Sequence, residues 1–143
     1  MYPSHEKDVY GWAVHTAQLL RDKKMNEVDF DGIVEELEEM GISNKHALTS
    51  RLALVITHLL KWQCQTNKRG HSWKYTIEEQ RDEARNYLEE NPSLKSKLDE
   101  IMIKSYRSAM IKAAKETSLD KKTFPAQCPY TFEQIMNDEF YPE

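Results

Sequence analysis

Apolar residues recur at steps of three and four along almost the whole chain, so the pattern predicts a succession of helices and no β-hairpin. Over residues 4–22, Val9, Trp12, Ala13, Thr16, Ala17 and Leu20 share one face, which is expected to be buried. Asp29 is placed to cap a second helix, with Val28 and Ile33 at the spacing of a hydrophobic staple. Phe30, Ile33, Val34, Leu37 and Met40 are then expected to point inward, and Gly41 to stop or bend that helix. Residues 43–65 are the most apolar segment, with Leu48, Leu52, Val55, Ile56, Leu59, Leu60 and Trp62 covering most of the circumference. This predicts a central helix about 34 Å long at 1.5 Å per residue.

A polar loop at 66–70 leads to a fourth helix that starts at Ser72, or at Thr76 where Glu79 could close a capping box, and runs to about Leu88. Its stripe is Trp73, Ile77, Ala84 and Leu88, interrupted by Gln80. Asn91-Pro92 supplies a cap and a first-turn proline for a fifth helix that reaches about Thr117. Phe124-Pro125 and Cys128-Pro129 then set an extended stretch before a short helix from Thr131. The expected architecture is all-α, an irregular bundle of five to six helices in one domain spanning 1–143. Its C-terminal segment should clamp the bundle through Phe124, Tyr130, Phe132, Ile135, Phe140 and Tyr141.

Composition agrees with a packed helical protein. The 143 residues are 39% hydrophobic and 31% charged, with 4 Gly and 5 Pro, which argues against disorder and against a turn-rich β fold. The net charge of −4 disfavours a dedicated nucleic-acid binder. Cys64 and Cys128 form no CxxC motif, and no apolar run is long enough for a signal peptide or a membrane span. A cytoplasmic protein with no membrane partner is expected.

Several short motifs occur together in a fixed order. They are Asp8, Trp12 and Leu19-Leu20; Glu35-Glu36-Leu37-Glu38 with Met40-Gly41; and His58-Leu59-Leu60-Lys61-Trp62-Gln63. Ser72-Trp73, Thr76-Ile77, Gln80-Arg81, Pro92-Ser93-Leu94, Phe124-Pro125 and Cys128-Pro129-Tyr130 complete the series. The series resembles the domain of unknown function 29 family over nearly the whole chain. The resemblance implies a small all-helical bacterial protein of a kind frequent in cyanobacteria. It implies no activity, substrate or site.

The residues themselves offer four candidate chemistries. Glu35 and Glu38, in an acidic run with Asp31 and Glu39, could meet a histidine from a neighbouring helix, with His58 the first candidate. Such a group would hold a divalent metal or act as an acid/base pair, since carboxylates suit hard cations and imidazole exchanges protons near neutrality. The competing reading is a solvated acidic face and a hydrogen-bonded structural histidine. Arg81 could bridge helices to Glu35 or Glu38, or hold an anionic ligand.

Lys61, Lys68, Arg69 and Lys74 interleave with Trp62 and Trp73 and could grip a phosphate backbone, although residues 61–85 carry only six Lys/Arg against four Asp/Glu. Cys64, His58, His71 and Cys128 match no zinc spacing, and no phosphate-binding loop, nucleophile elbow or dinucleotide fingerprint occurs. With no complete catalytic set, the sequence leans away from an enzyme. It favours a module that binds a protein partner or its own copies. The alternative is a metal- or acid/base-dependent hydrolase or nuclease using Glu35, Glu38, His58 and Arg81.

Overall fold

In the computed structural model, which describes residues 3–143, all regular structure is helical and no strand occurs among the described residues. Among the described residues five α-helices follow in order: α1 (Val9–Arg21), α2 (Phe30–Cys64), α3 (His71–Glu90), α4 (Leu98–Thr117) and α5 (Phe132–Met136). The chain divides into two compact units, Met1–Ile42 and Ser43–Glu143.

The helix termini follow their local chemistry. Asp8 caps α1 by accepting from the Gly11 N–H at 2.9 Å, and Asp29 caps α2 by accepting from the Gly32 N–H at 3.0 Å. Thr131 and Gln134 close a reciprocal capping box on α5. Thr76 does not cap: its hydroxyl donates to the Ser72 carbonyl inside α3, which starts one turn earlier, after Gly70.

Two predicted boundaries differ. The second and third helices are one 35-residue α-helix that continues through Gly41. A glycine ends a helix by taking positive φ, and no described glycine does so. The fifth helix does not start at Asn91. Pro92–Lys97 winds as a 3₁₀ segment first, and the Asn91 side-chain amide turns back to donate to the Tyr87 carbonyl at 3.1 Å, so it does not cap forward.

The second unit holds the main core. Leu48, Leu52, Val55, Ile56, Leu59 and Leu60 of α2 pack with Ile77, Ala84 and Leu88 of α3 and with Ile101, Tyr106, Ala109 and Ala113 of α4. Phe124, Tyr130 and Ile135 of the C-terminal segment complete it, so that segment is a wall of the core. Polar ties fix the layers. The Ser105 hydroxyl donates to the Thr49 carbonyl at 3.1 Å, Lys45 pairs with Glu100, and Arg51 donates to Gln80 at 3.3 Å. Gln80, which breaks the apolar stripe of α3, is buried for that reason.

Arg81 is fully buried, and its Nε and Nη2 donate to the tail, while Nη1 has no hydrogen-bond partner among the described residues. Nε donates to the Ile135 carbonyl at 2.6 Å, and Nη2 donates to the Phe140 and Gln134 carbonyls at 2.8 and 3.4 Å. The guanidinium lies 5.4 Å from the Tyr141 ring centroid. One turn on, Arg85 donates to the Met136 carbonyl and pairs with Asp138 and Asp82. The two arginines thus donate to the last carbonyls of α5, which have no partner within that helix. Tyr130 donates to Gln63 at 2.7 Å and Tyr106 to the Pro125 carbonyl at 2.5 Å. These bonds fasten the tail at three more points with Arg69, which donates to the Glu143 carbonyl at 3.0 Å.

Removal of residues 124–143 should therefore lower the melting temperature sharply, and Arg81→Ala should cost at least about 3 kcal/mol because the Ile135 and Phe140 carbonyls lose the guanidinium donor and its packing is lost. Calorimetric melts check both, and an unchanged melt in either would refute the clamp. Gly41 lies in a helix interior with open space around its α-carbon, so Gly41→Ala should raise stability by about 0.5–1 kcal/mol in denaturant titrations.

Candidate functional site

The first unit has a small interior. Trp12, Thr16 and Leu19 of α1 are buried, while Val9, Val14 and Leu20 are exposed, so the buried stripe lies to one side of the predicted one. Close approach of α1 to α2 is possible because position 32 is glycine. A Cβ there would lie 2.8 Å from Trp12 Cζ2 and 2.6 Å from Asp29 Oδ2. The indole thus sits directly on the backbone of α2.

That approach selects which side of α2 faces inward. At 100° per residue, Phe30, Val34 and Leu37 lie about 140–160° around the helix from Gly32. They are turned outward, with Phe30 55%, Leu37 60% and Met40 60% exposed. The expectation that Phe30, Val34, Leu37 and Met40 point inward is thereby corrected; Ile33 alone of that set is half-buried. Asp31 and Glu38 flank the apolar stripe on one side and Glu36 on the other, and residues 25–44 carry seven carboxylates with no Lys or Arg.

The acidic run does meet a histidine, and it is His5. Nε2 lies 2.7 Å from Glu36 Oε1, Nδ1 lies 3.3 Å from Glu35 Oε2, and the ring packs edge-on against Trp12 at 4.6 Å. An imidazole with a carboxylate at each nitrogen satisfies both only as the doubly protonated cation. Beside it is a cavity of about 410 Å³ lined by Ser4, His5, Glu6, Trp12, Asp29, Asp31, Gly32 and Glu35. Its walls are rich in carboxylates, and they suit cationic groups. The buried Trp12 Nε1 has no hydrogen-bond partner among the described residues.

The other predicted residues have the following places. Glu38 is exposed on α2. His58 belongs to the second unit, where Nδ1 donates to the Leu54 carbonyl at 2.9 Å and burial holds its pKa below the ordinary 6.5. Arg81, expected to reach Glu35 or Glu38 or an anionic ligand, serves the tail carbonyls, and the neighbouring Arg85 reaches Asp82 and Asp138. Among the described residues no group of three His, Cys, Asp or Glu side chains is placed to hold a metal ion.

Of the cations proposed for nucleic acid, Lys61 lies 4.9 Å from the Trp73 ring and pairs with Glu116 at 3.3 Å. Arg69 and Lys74 lie 5.1 and 5.7 Å from the Trp62 ring, and Arg69 also donates to the Trp62 carbonyl. Only Lys68 extends from an exposed turn without such a tie.

The sequence reading missed a second surface, on α4. Ile103 is 72% exposed and Ile111 is also exposed, and both share a face with Arg107, Lys104 and Lys115. Residues 101–115 carry four cations, Lys104, Arg107, Lys112 and Lys115, and no carboxylate. Next to this face is an apolar groove of about 550 Å³, with Met102, Ile103 and Met110 on one side, Ala126 and Cys128 on the other, and Arg107 at its edge. The i, i+4, i+8 spacing of Ile103, Arg107 and Ile111 was the available signal.

The His5 contacts have a pH signature. Its pKa is raised above the ordinary 6.5, first by the hydrogen bond to Glu36, then by the charges of Glu36, Glu35 and Glu39, against the opposing effect of desolvation. Because the folded value exceeds the unfolded one, the stabilisation is complete below pH 6.5 and is lost as pH rises through the raised value. An NMR titration of the His5 ring should give a midpoint above 6.5, and Glu36→Gln should bring it back toward that value. A midpoint that ignores Glu36→Gln would disprove the assignment.

No curated protein and no solved structure matches the chain. Residues 4–141 match the model of the family described as domain of unknown function DUF29. The match covers every element from the His5 turn to the tail held by Arg81, and the chain belongs to that family.

Proposed function

We propose that the protein is a binding module whose working surface is the outward face of the first turns of α2. One observation carries this reading: Phe30, Val34, Leu37 and Met40 form a continuous apolar stripe at helical spacing, at least half exposed, within a dense acidic border. Single exposed apolar residues need no explanation, but a contiguous stripe rimmed by charge is how docking faces are built. Size supports the same reading. The first unit extends only to Ile42, near the length below which a folded unit usually needs a staple or a partner. The partner is protein, because a face of carboxylates repels phosphates and acidic membranes. No helix among the described residues is long and apolar enough to cross a membrane, and the two free cysteines fit a cytoplasmic setting.

The test is a photo-crosslinking residue placed at Leu37 in cells, with the exposed Asn86 of α3 as control. A protein adduct at position 37 and none at 86 is expected, whereas no adduct at 37 would sink the proposal. Leu37→Glu should leave stability within about 0.5 kcal/mol, since it replaces an exposed side chain, and should abolish partner binding.

A further inference from the structure

We infer that the partner of this face is a second copy of the chain, whose α4 docks on α2 so that the acidic, apolar stripe of one copy meets the basic, apolar stripe of the other. The inference rests on reading the α2 face as the working surface, and it names the occupant.

The argument is complementarity between two faces of one sequence. On α2, Phe30, Val34 and Leu37 project beside Asp31 and Glu38, while Glu36 on the other side is paired with His5. On α4, Ile103 and Ile111 project between Lys104, Arg107 and Lys115, beside a groove of about 550 Å³ floored by methionine and large enough for a leucine or phenylalanine side chain. Each face is one that a protein exposed to water would blunt, and each carries the charge that the other lacks. Contact of α2 with α2 would bring carboxylates against carboxylates, and contact of α4 with α4 would bring cations together. Both like-with-like pairings are penalised and the mixed pairing is favoured. Because the two faces differ, the contact is head-to-tail, and it closes into a ring or runs on as a chain of copies.

Charge also separates this arrangement from a coincidence of two sticky patches. The apolar residues supply contact area, while the ion pairs choose orientation and make association sensitive to salt, since the Debye length falls from about 10 Å at ~0.1 M to about 3 Å at ~1 M.

The experiment uses sedimentation of the full chain at low and high salt, with two charge-reversed variants. One carries Asp31→Lys and Glu38→Lys on α2; the other carries Lys104→Glu and Arg107→Glu on α4. All four positions are exposed, and circular dichroism verifies the fold. The wild type should self-associate, more strongly at low salt. Each variant alone should associate roughly tenfold more weakly or worse. An equimolar mixture should recover association, because reversed α2 then faces reversed α4 while the two unaltered faces still match. A monomeric wild type, an α4 reversal without effect, or a mixture that stays dissociated each overturns the inference. The adduct at Leu37 separates the two levels: a crosslink into residues 99–115 of a second copy supports both, a crosslink to a different protein overturns only the second-copy contact, and no crosslink overturns both.

Discussion

A guanidinium buried among backbone carbonyls organises the second unit. Removing Arg81 from water is costly, and no carboxylate hydrogen-bonds to it; its charge is met by the carbonyls of Gln134, Ile135 and Phe140 and by the face of Tyr141. Those carbonyls belong to a five-residue helix and the turn after it, a segment too short to be stable by itself. Each side therefore answers a need of the other: the arginine requires acceptors and the end of α5 requires donors. Ile135 and Tyr130 can then fill the core between α2, α3 and α4, with Tyr130 reaching back to Gln63.

The first unit is built on a different constraint, which is room. Gly32 admits the Trp12 indole to the backbone of α2, and that contact fixes the rotation of α2 about its axis within the unit. Once the Gly32 side faces α1, the Phe30–Val34–Leu37 stripe faces away. The carboxylates beside Gly32 are left to be balanced by His5, which reaches Glu35 and Glu36 from the turn before α1. A helix with one inward-facing stripe and one outward-facing apolar stripe has two apolar sides, and only one of them can be covered by α1.

Much of the fold was legible in the sequence, and the failures have identifiable causes. Helical period, the Asp29 and Thr131 caps, the long apolar helix and the aromatic anchors of the tail follow from local rules, because each depends on residues within one or two turns. Gly41 misled because a glycine reads as a breaker, while the helix simply tolerates it. The outward stripe of α2 misled for a deeper reason: periodicity shows that a helix has an apolar face and does not show whether another helix covers it. Arg81 was singled out correctly, but its partners are carbonyls, which every residue possesses and no sequence pattern marks. The histidine sought for the acidic run was taken from a helix when it lay in a turn, at position 5, where no periodicity operates.

The segregation of charge along this chain then has a physical meaning that its sum conceals. A net charge of −4 describes a mildly acidic protein, yet residues 25–44 contain carboxylates without a single Lys or Arg, and residues 101–115 contain cations without a single Asp or Glu. Neither arrangement serves the stability of the unit that carries it. Like charges on successive turns of a helix repel, and a modest interspersing of opposite charge would relieve both helices. In α2 the repulsion is relieved locally at His5, which neutralises part of the inward-facing group and leaves Asp31 and Glu38 beside the outer stripe. In α4 the uncompensated cations line the same face as the exposed isoleucines. Two unfavourable faces of opposite sign, each joined to an apolar stripe of similar length, become favourable only in contact with a surface of the other kind, and this chain presents both.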